Sequence, residues 1–353
     1  MKKTIFILGA ILVLGTLLGI RYYLSSKKPA SITTETTTPT VTETNSAPAK
    51  KDPVTTTIIF GGDVMLGRNV EQGMLMNGSL WPFAQVASTM KAADFTIVNL
   101  ESMFSSTHPT TQTGSLILRG YPDGVKGMVS AGIDGVSLAN NHVADMGVSG
   151  LTETMQILDA NNIKHAGAGL SSSDAAAPFI LDKGGVKFGF LSFTYGSNLD
   201  KAGVYYQKTT DDFATEIKDL KTKADVVIVL AHFGAEYQTK PIASQKTFAR
   251  AAIDAGATLV IGAHPHIPEP VEKYGNGLIA YSLGNLVFDQ TPEDNKDKSA
   301  LLKVTFVDNK PTTAELLPYQ IYSLGQPKLY TSATDKSAIY PLFGLTQATL
   351  ALP

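Results

Sequence analysis

The sequence predicts an α/β fold in which two facing mixed sheets are flanked by helices. Three observations predict it: short β-branched runs alternating with amphipathic stretches, glycine-centred hairpins interleaved with them, and polar side chains gathered just after the strands. Thr57 to Phe60, Phe95 to Leu100, Gly135 to Ala139, Val226 to Ala231 and Thr258 to Gly262 read as buried strands. Between them, Pro82 to Ala92, Pro122 to Ala131, Ser149 to Asn161, Asp211 to Lys223 and Ile242 to Ala255 read as helices. Strands alternating with helices imply parallel pairing. Phe179 to Phe193, turning at Gly184-Gly185, and Val271 to Leu283, turning near Gly275-Asn276-Gly277, read as hairpins. Ala300 to Val307 and Thr313 to Pro318 form a further pair. Hairpins added to a βα core call for a second sheet. The stretch after Gly325 shows no regular period.

A chain of 353 residues with 43% hydrophobic content can bury a sizeable core. Its 29 Lys and Arg nearly cancel 31 Asp and Glu, and no dense basic stripe is present, which argues against nucleic acid as a partner. With no cysteine, there are no disulfides and no thiolate ligands, so any metal must be held by nitrogen and oxygen. At the N-terminus, Met1-Lys2-Lys3 precedes an apolar or small-residue run from Thr4 to Ile20, followed by Arg21, Tyr22 and Tyr23. A membrane span needs about 20 such residues, whereas a cleaved signal has a shorter run and a small-residue cleavage site, which is not found here. Residues 1–24 are therefore expected to be an uncleaved single-pass anchor. Residues 25–53, rich in Thr, Pro, Glu, Ser and Ala, cannot bury enough surface to offset chain entropy and are expected to form a disordered linker. Thr/Pro-rich stalks are common outside the cell, so the expected placement is the cell membrane, with the folded domain of residues 54–325 extracytoplasmic. Residues 326–353 are read as a C-terminal tail.

In open α/β sheets, functional groups sit beyond the carboxyl ends of the strands. Here the first strand runs into Gly61-Gly62-Asp63-Val64-Met65-Leu66-Gly67-Arg68, the second into Asn99-Leu100-Glu101 and the third into Ala139-Asn140-Asn141-His142. The fourth runs into His232-Phe233-Gly234-Ala235-Glu236 and the fifth into Gly262-Ala263-His264-Pro265-His266. Singly, each has an ordinary explanation as a turn, a cap or a satisfied core polar group. Together they place four of the 6 histidines, and a carboxylate after each of the first two strands, on one rim. A His/Asp/Glu/Asn set of this kind suits Mn, Fe or Zn. His108, in a Ser/Thr/Pro-rich loop, and His165, before a strand, lack this context.

Taken in order, these segments resemble the bacterial capsule-synthesis protein family, the CapA or poly-γ-glutamate biosynthesis proteins, within the calcineurin-like metallophosphatases. Tyr281-Ser282-Leu283-Gly284-Asn285-Leu286-Val287-Phe288-Asp289 completes the set, and the match runs from about Ile58 to Asp289. The resemblance implies a metallophosphatase-like α/β/β/α sandwich holding two divalent ions. It implies that Asp63 and His266 hold one ion, that Asn141, His232 and His264 hold the other, and that Glu101 bridges them. His142 would be the general acid or substrate-oxygen stabiliser and Arg68 a contact to an anionic substrate, with Glu236, Asn99 and Asn285 supporting the ligands. The implied partners are an anionic polymer such as poly-γ-glutamate or a phosphoester substrate, together with capsule synthesis or export proteins in the membrane. Two features depart from metallophosphatases at large. Met65 stands where a histidine usually follows the first Asp, and a thioether is a poor ligand for a hard divalent ion. The bridging acid is Glu101 rather than Asp. Two functions are thus expected: a metal-dependent hydrolase, or a non-catalytic accessory protein that binds or guides the polymer.

Overall fold

Alternation along the first strand sets the layering. In β1 (Thr55–Val64), Ile58 and Phe60 join a buried cluster with Phe188, Phe190, Ile228, Leu230, Ile261 and Leu302, all from strands. Ile59 and Val64 instead join a cluster containing Val70, Met128, Leu151 and Leu158 from helices. Successive strand side chains point to opposite faces, so one face of β1 packs on a second sheet and the other on helices. The second sheet repeats the rule: Ile228 and Leu230 face the first sheet, while Val227 and Val229 pack with Ile217 and Phe248 of its own helices. Each such fully buried side chain contributes about 1.5–3 kcal/mol.

The computed structural model describes residues 52–110, 115–198, 200–290 and 292–352. The expected anchor over 1–24, and the expected linker up to Lys51, lie outside the described residues. No helix among the described residues is long and apolar enough to cross a membrane.

Residues 55–194 supply β1, β2 (Phe95–Leu100), β3 (Gly135–Ser137), β4 (Lys164–Ala166) and the hairpin β5 (Phe179–Lys183) and β6 (Val186–Thr194). The chain after residue 194 supplies β7 (Val226–His232), β8 (Leu259–Ala263), β9 (Pro268–Tyr274), β10 (Gly277–Leu283) and β11 (Asn285–Val287). It ends with β12 (Lys298–Val307), β13 (Lys310–Tyr322), β14 (Gln326–Leu329) and β15 (Thr349–Ala351). The nine-stranded sheet has the order β14-β13-β12-β1-β2-β3-β4, with β11 also on β1 and β15 also on β13. Its β1 to β4 are parallel and β12 to β14 antiparallel. The six-stranded sheet has the order β9-β10-β8-β7-β6-β5, parallel in the middle and closed by an antiparallel strand at each edge. The fold is therefore mixed α/β, with two mixed sheets and flanking helices.

The principal helices are α1 (Arg68–Asn77), α2 (Gly124–Ser130), α3 (Gly147–Ala160), α4 (Phe213–Lys221) and α5 (Ala243–Ala255). Asp212 caps α4 by accepting the Thr215 N–H, and Gly256, at φ 119°, ends α5. Two differences from the sequence reading have clear causes. The expected helix from Pro82 to Ala92 is a 3₁₀ turn (Trp81–Phe83) and one α turn (Ala87–Met90), separated at Val86, whose φ of −124° is not helical. Helix α1 has no clear sequence signature, because its buried face carries Arg68 and Glu71 beside Val70 and Met74, which breaks the apolar stripe. Beyond Gly325, β14 and β15 add to β13, and Ile339 and Phe343 enter the cluster between the sheets.

One connection matters for the site. After β10, Gly284, at φ 60°, turns the chain from the second sheet into β11, which runs parallel to β1 in the first. Asp63 N–H donates to Gly284 O at 3.0 Å and Met65 N–H to Val287 O at 2.8 Å.

Candidate metal centre

Five strand ends deliver the site. Strand β1 ends with Asp63 and Val64, β2 is followed by Glu101, and the turn after β3 carries Asn141 and His142. Strand β7 ends on His232, and the turn after β8 carries His264 and His266. The layers meet closely here. A Cβ on Gly62 would lie 1.8 Å from Gly284 O, and one on Gly262 would lie 1.9 Å from Tyr281 O, so only glycine fits either position. His264 and His266 take positive φ, 98° and 60°, a region that costs a non-glycine residue on the order of 1–3 kcal/mol and that clusters at functional sites.

Glu101 lies at the centre and is fully buried. Its Oε1 is 3.7 Å from His266 Nε2, 3.8 Å from His142 Nε2 and 3.9 Å from His232 Nε2. Among the described residues, no donor group bonds either carboxylate oxygen. Asp63, also fully buried, accepts from Asn99 Nδ2 at 2.8 Å and from His264 N at 3.2 Å, with His266 Nδ1 3.4 Å away. One ligand atom each from Asp63, Glu101 and His232 lies within 4.8 Å of the others. His232 Nε2 is 2.9 Å from Asn141 Oδ1 and 3.1 Å from His264 Nδ1. Asn99 Nδ2 stands 3.1 Å from His232 Nδ1, and Asn285 Oδ1 stands 2.9 Å from His266 Nδ1.

Burial first, and then the charge of Asp63, pushes the Glu101 carboxyl well above its ordinary range. Burial, reinforced by the neighbouring imidazoles His264, His266 and His142, holds His232 well below its usual value. The same causes, burial and then His266, bring His264 to about 4. A buried carboxylate left without donors is costly, and His232 and His264, held neutral, cannot offset its charge. Divalent cations would. The donors are all oxygen and nitrogen, fitting Mn, Fe or Zn rather than a thiolate site, so this buried Asp/Glu/His cluster suggests metal binding.

The remaining sequence candidates fall around this centre. Arg68 is 9% exposed and ion-paired with Asp289, with its guanidinium 5.3 Å from the Phe288 ring centroid and its Nη1 donating to Ser115 O at 3.1 Å. Glu236 is on the rim of a cleft of ≈ 280 Å³ that Arg68, His142, Tyr237, His266 and Gln290 also line. Met65 is buried in the apolar cluster beside the helices, its sulfur accepting the Gly67 N–H at 3.1 Å. His108 bonds Ser105, and His165 lies 3.4 Å from Asp159, both outside the centre. Two residues of the site carry no assignment in the sequence reading, Asp145 and Asn198, and a third, Asp289, enters there only as the end of the last motif. Asp145 Oδ2 lies 2.8 Å from His142 Nδ1, Asn198 Nδ2 lies 3.4 Å from His142 Nε2, and Asp289 holds Arg68. Asp145, three residues after a singled-out histidine, and Asp289, closing the Tyr281-to-Asp289 motif, carry a local signal, whereas Asn198 carries none.

Residues 57–290 match the family described as bacterial capsule synthesis protein PGA_cap. The chain is similar to the capsule biosynthesis protein CapA of Bacillus anthracis, at 31% identity over 80% of this chain and 72% of that one. It is similar also to the PGA biosynthesis protein CapA of Bacillus subtilis (strain 168), at 34% identity over 74% of this chain and 71% of that one. Among solved structures, a hypothetical protein from Thermus thermophilus aligns with a TM-score of 0.49 at 15% identity, covering 75% of this chain and 99% of that one. By the extent of the family match and the identity to these relatives, the chain belongs to the bacterial capsule synthesis protein family.

Proposed function

We propose that this protein is a metal-dependent, metallophosphatase-like hydrolase of capsule or poly-γ-glutamate synthesis. In this reading residues 1–24 hold it in the cell membrane with the folded domain outside, and it cleaves a phosphoester or a bond in an anionic envelope polymer. The observation that carries the reading is Glu101: a fully buried carboxylate, without a donor among the described residues, with three imidazole nitrogens 3.7 to 3.9 Å from one oxygen. The sequence motifs support Asp63 and His266 as holders of one ion, Asn141, His232 and His264 of a second, and Glu101 as shared. Divalent ions bound there would neutralise substrate oxygens and make water more acidic. The protein's own groups do the rest. His142 Nε2 faces the cluster and the cleft, placed to take a proton from water and to give one to a leaving oxygen. Arg68 lines the same cleft, where its charge is largely matched by Asp289 and its fork offers a charge-assisted contact. The names of the Bacillus relatives support capsule and PGA biosynthesis as the setting, with an anionic polymer and its synthesis machinery as partners.

A second reading, a non-catalytic accessory that binds or guides the polymer, is favoured by one observation: Met65 is packed into the core, so the position that supplies a histidine in other metallophosphatases offers the cluster nothing. Metal content of the purified full chain, by elemental mass spectrometry, separates the cases when paired with turnover of phosphodiesters and γ-glutamyl polymers. Two ions per chain that are lost in His264→Ala, together with turnover, are the result expected. A folded chain that takes up no Mn, Fe or Zn overturns the metal reading. Bound ions and polymer binding without turnover favour the accessory role.

A further inference from the structure

We propose that the cleft over the metal centre continues past Gln290 into a second subsite, which takes a neutral, hydroxylated unit joined to the phosphoryl group of the substrate. The inference rests on the hydrolase reading and names the class within it: a phosphodiester of polyol-like units rather than a chain with a carboxylate on every unit. Asp289 and Gln290 line the cleft with His142 and His266, and they also line a second depression of ≈ 300 Å³ beside it. Both are fixed in place. Asp289, paired with Arg68, accepts the Asn69 N–H at 3.1 Å. Gln290 Nε2 donates to Tyr237 OH at 3.3 Å, and its Oε1 accepts from Asn285 Nδ2 at 3.0 Å. The two hollows therefore share one held wall. The turn Ser323–Gly325, where Leu324 holds φ 61°, also lines the second hollow. A Cβ on Gly325, at φ 100°, would lie 2.8 Å from the Phe288 carbonyl carbon, so this turn is seated on the segment that leads from β11 to Asp289.

The lining decides the chemistry. Among the described residues that line the second depression there is no Lys, Arg or His, while two carboxylates, Asp289 and Asp297, are present. A carboxylate or second phosphate lodged there would meet like charge with no counter-ion. Asp297 is 5% exposed; its Oδ2 accepts from Gln320 Nε2 at 2.7 Å, and its Oδ1 has no donor among the described residues. A buried acceptor left open is costly and calls for a donor. The Asn69 amide and the Tyr322 and Ser323 hydroxyls belong to the same lining, and none of the three has a hydrogen-bond partner among the described residues. Each can both donate and accept. Three such groups with one open carboxylate oxygen match the several O–H groups of a polyol, which give and take hydrogen bonds in turn. An ammonium would use the carboxylate and leave the other three unmatched. The charged phosphoryl group belongs in the first cleft, which Arg68 lines.

Isothermal titration calorimetry on the purified full chain with Zn compares methyl glyceryl phosphate with dimethyl phosphate, two diesters of equal charge. The glyceryl diester is expected to bind roughly 10-fold more tightly, the gain of a few net hydrogen bonds. Ser323→Trp, which fills the depression, should abolish the difference, and Asn69→Leu should reduce it. Carboxyethyl methyl phosphate should bind no better than dimethyl phosphate. Equal affinities for the glyceryl and dimethyl esters in the wild type, or no binding of either, overturn the proposal, as does a preference that survives Ser323→Trp. A carboxyethyl or aminoethyl diester that binds more tightly than the glyceryl one overturns the assignment of a neutral unit. Should Ser323→Trp fail to fold, Asn69→Leu, at a half-buried helix position, carries the comparison. Release of methanol or glycerol is followed in the same samples. A wild type that shows the preference without turnover sinks the hydrolase reading and leaves the subsite standing.

Discussion

Glu101 illustrates how a single side chain can work against the fold that contains it. Its buried, unbonded carboxylate sits beside Asp63, so without a cation it opposes folding. Glu101→Gln should therefore raise the thermal midpoint of the metal-free chain. The same change should abolish the rise that Mn, Fe or Zn produces in the wild type, which for one site at 100 times Kd amounts to about 2.7 kcal/mol. Differential scanning calorimetry with and without metal checks both halves, and a metal-dependent rise that survives the substitution would remove Glu101 from the ligand set. At this scale the sequence was most informative where chemistry sits at a strand end, as with Asp63, His232 and His264-x-His266. It is silent on Asn198 and on the pairing of Asp289 with Arg68, because each acts through a contact between segments far apart in the chain, with Arg68 and Asp289 separated by 221 positions.

At the scale of elements, the junction of β9 and α5 holds a second buried acid. Glu269 Oε2 accepts from Gln245 Nε2 at 2.7 Å, its Oε1 is unbonded, and burial pushes its carboxyl from 4.5 up to about 7, with the Gln245 bond and then Lys246 acting in the other direction. As pH rises through this window the unfolded chain ionises first, so the stability associated with Glu269 is full below about 4.5 and is lost by about 7. Relative to Glu269→Gln, the wild type should lose about 3 kcal/mol across that range, read by urea denaturation at several pH values. Identical pH profiles for the two proteins would refute this. The turns at the strand ends make a sterner demand. Gly62→Ala would force a Cβ to within 1.8 Å of Gly284 O, so a destabilisation of several kcal/mol or failure to fold is expected, measured by yield and circular dichroism. Strands were legible because their period is short and their residues β-branched, whereas α1 was hidden by the Glu71–Arg119 ion pair at 2.7 Å on its buried side.

The whole molecule includes more of the chain than its periodicity discloses. Residues after Gly325 form short edge strands and single turns, too brief for a pattern to accumulate, yet Ile339 and Phe343 are buried between the sheets. Removing residues 326–353 should cost more than deleting either side chain, each worth about 2–5 kcal/mol, and should broaden or abolish the cooperative thermal transition. A truncated chain that melts as sharply as the full one would show that this segment is dispensable. The turn at Gly284 bears on how such a chain comes apart. Because the backbone changes layers there and is hydrogen-bonded to Asp63 and Met65, opening either sheet at this end disturbs the same turn. The floor of the centre and the seam between the layers are the same few peptide groups. The amide protons of Asp63 and Met65 should then exchange with solvent only when the entire domain unfolds, at the slowest rate in the protein, making the site the last region to open rather than the first.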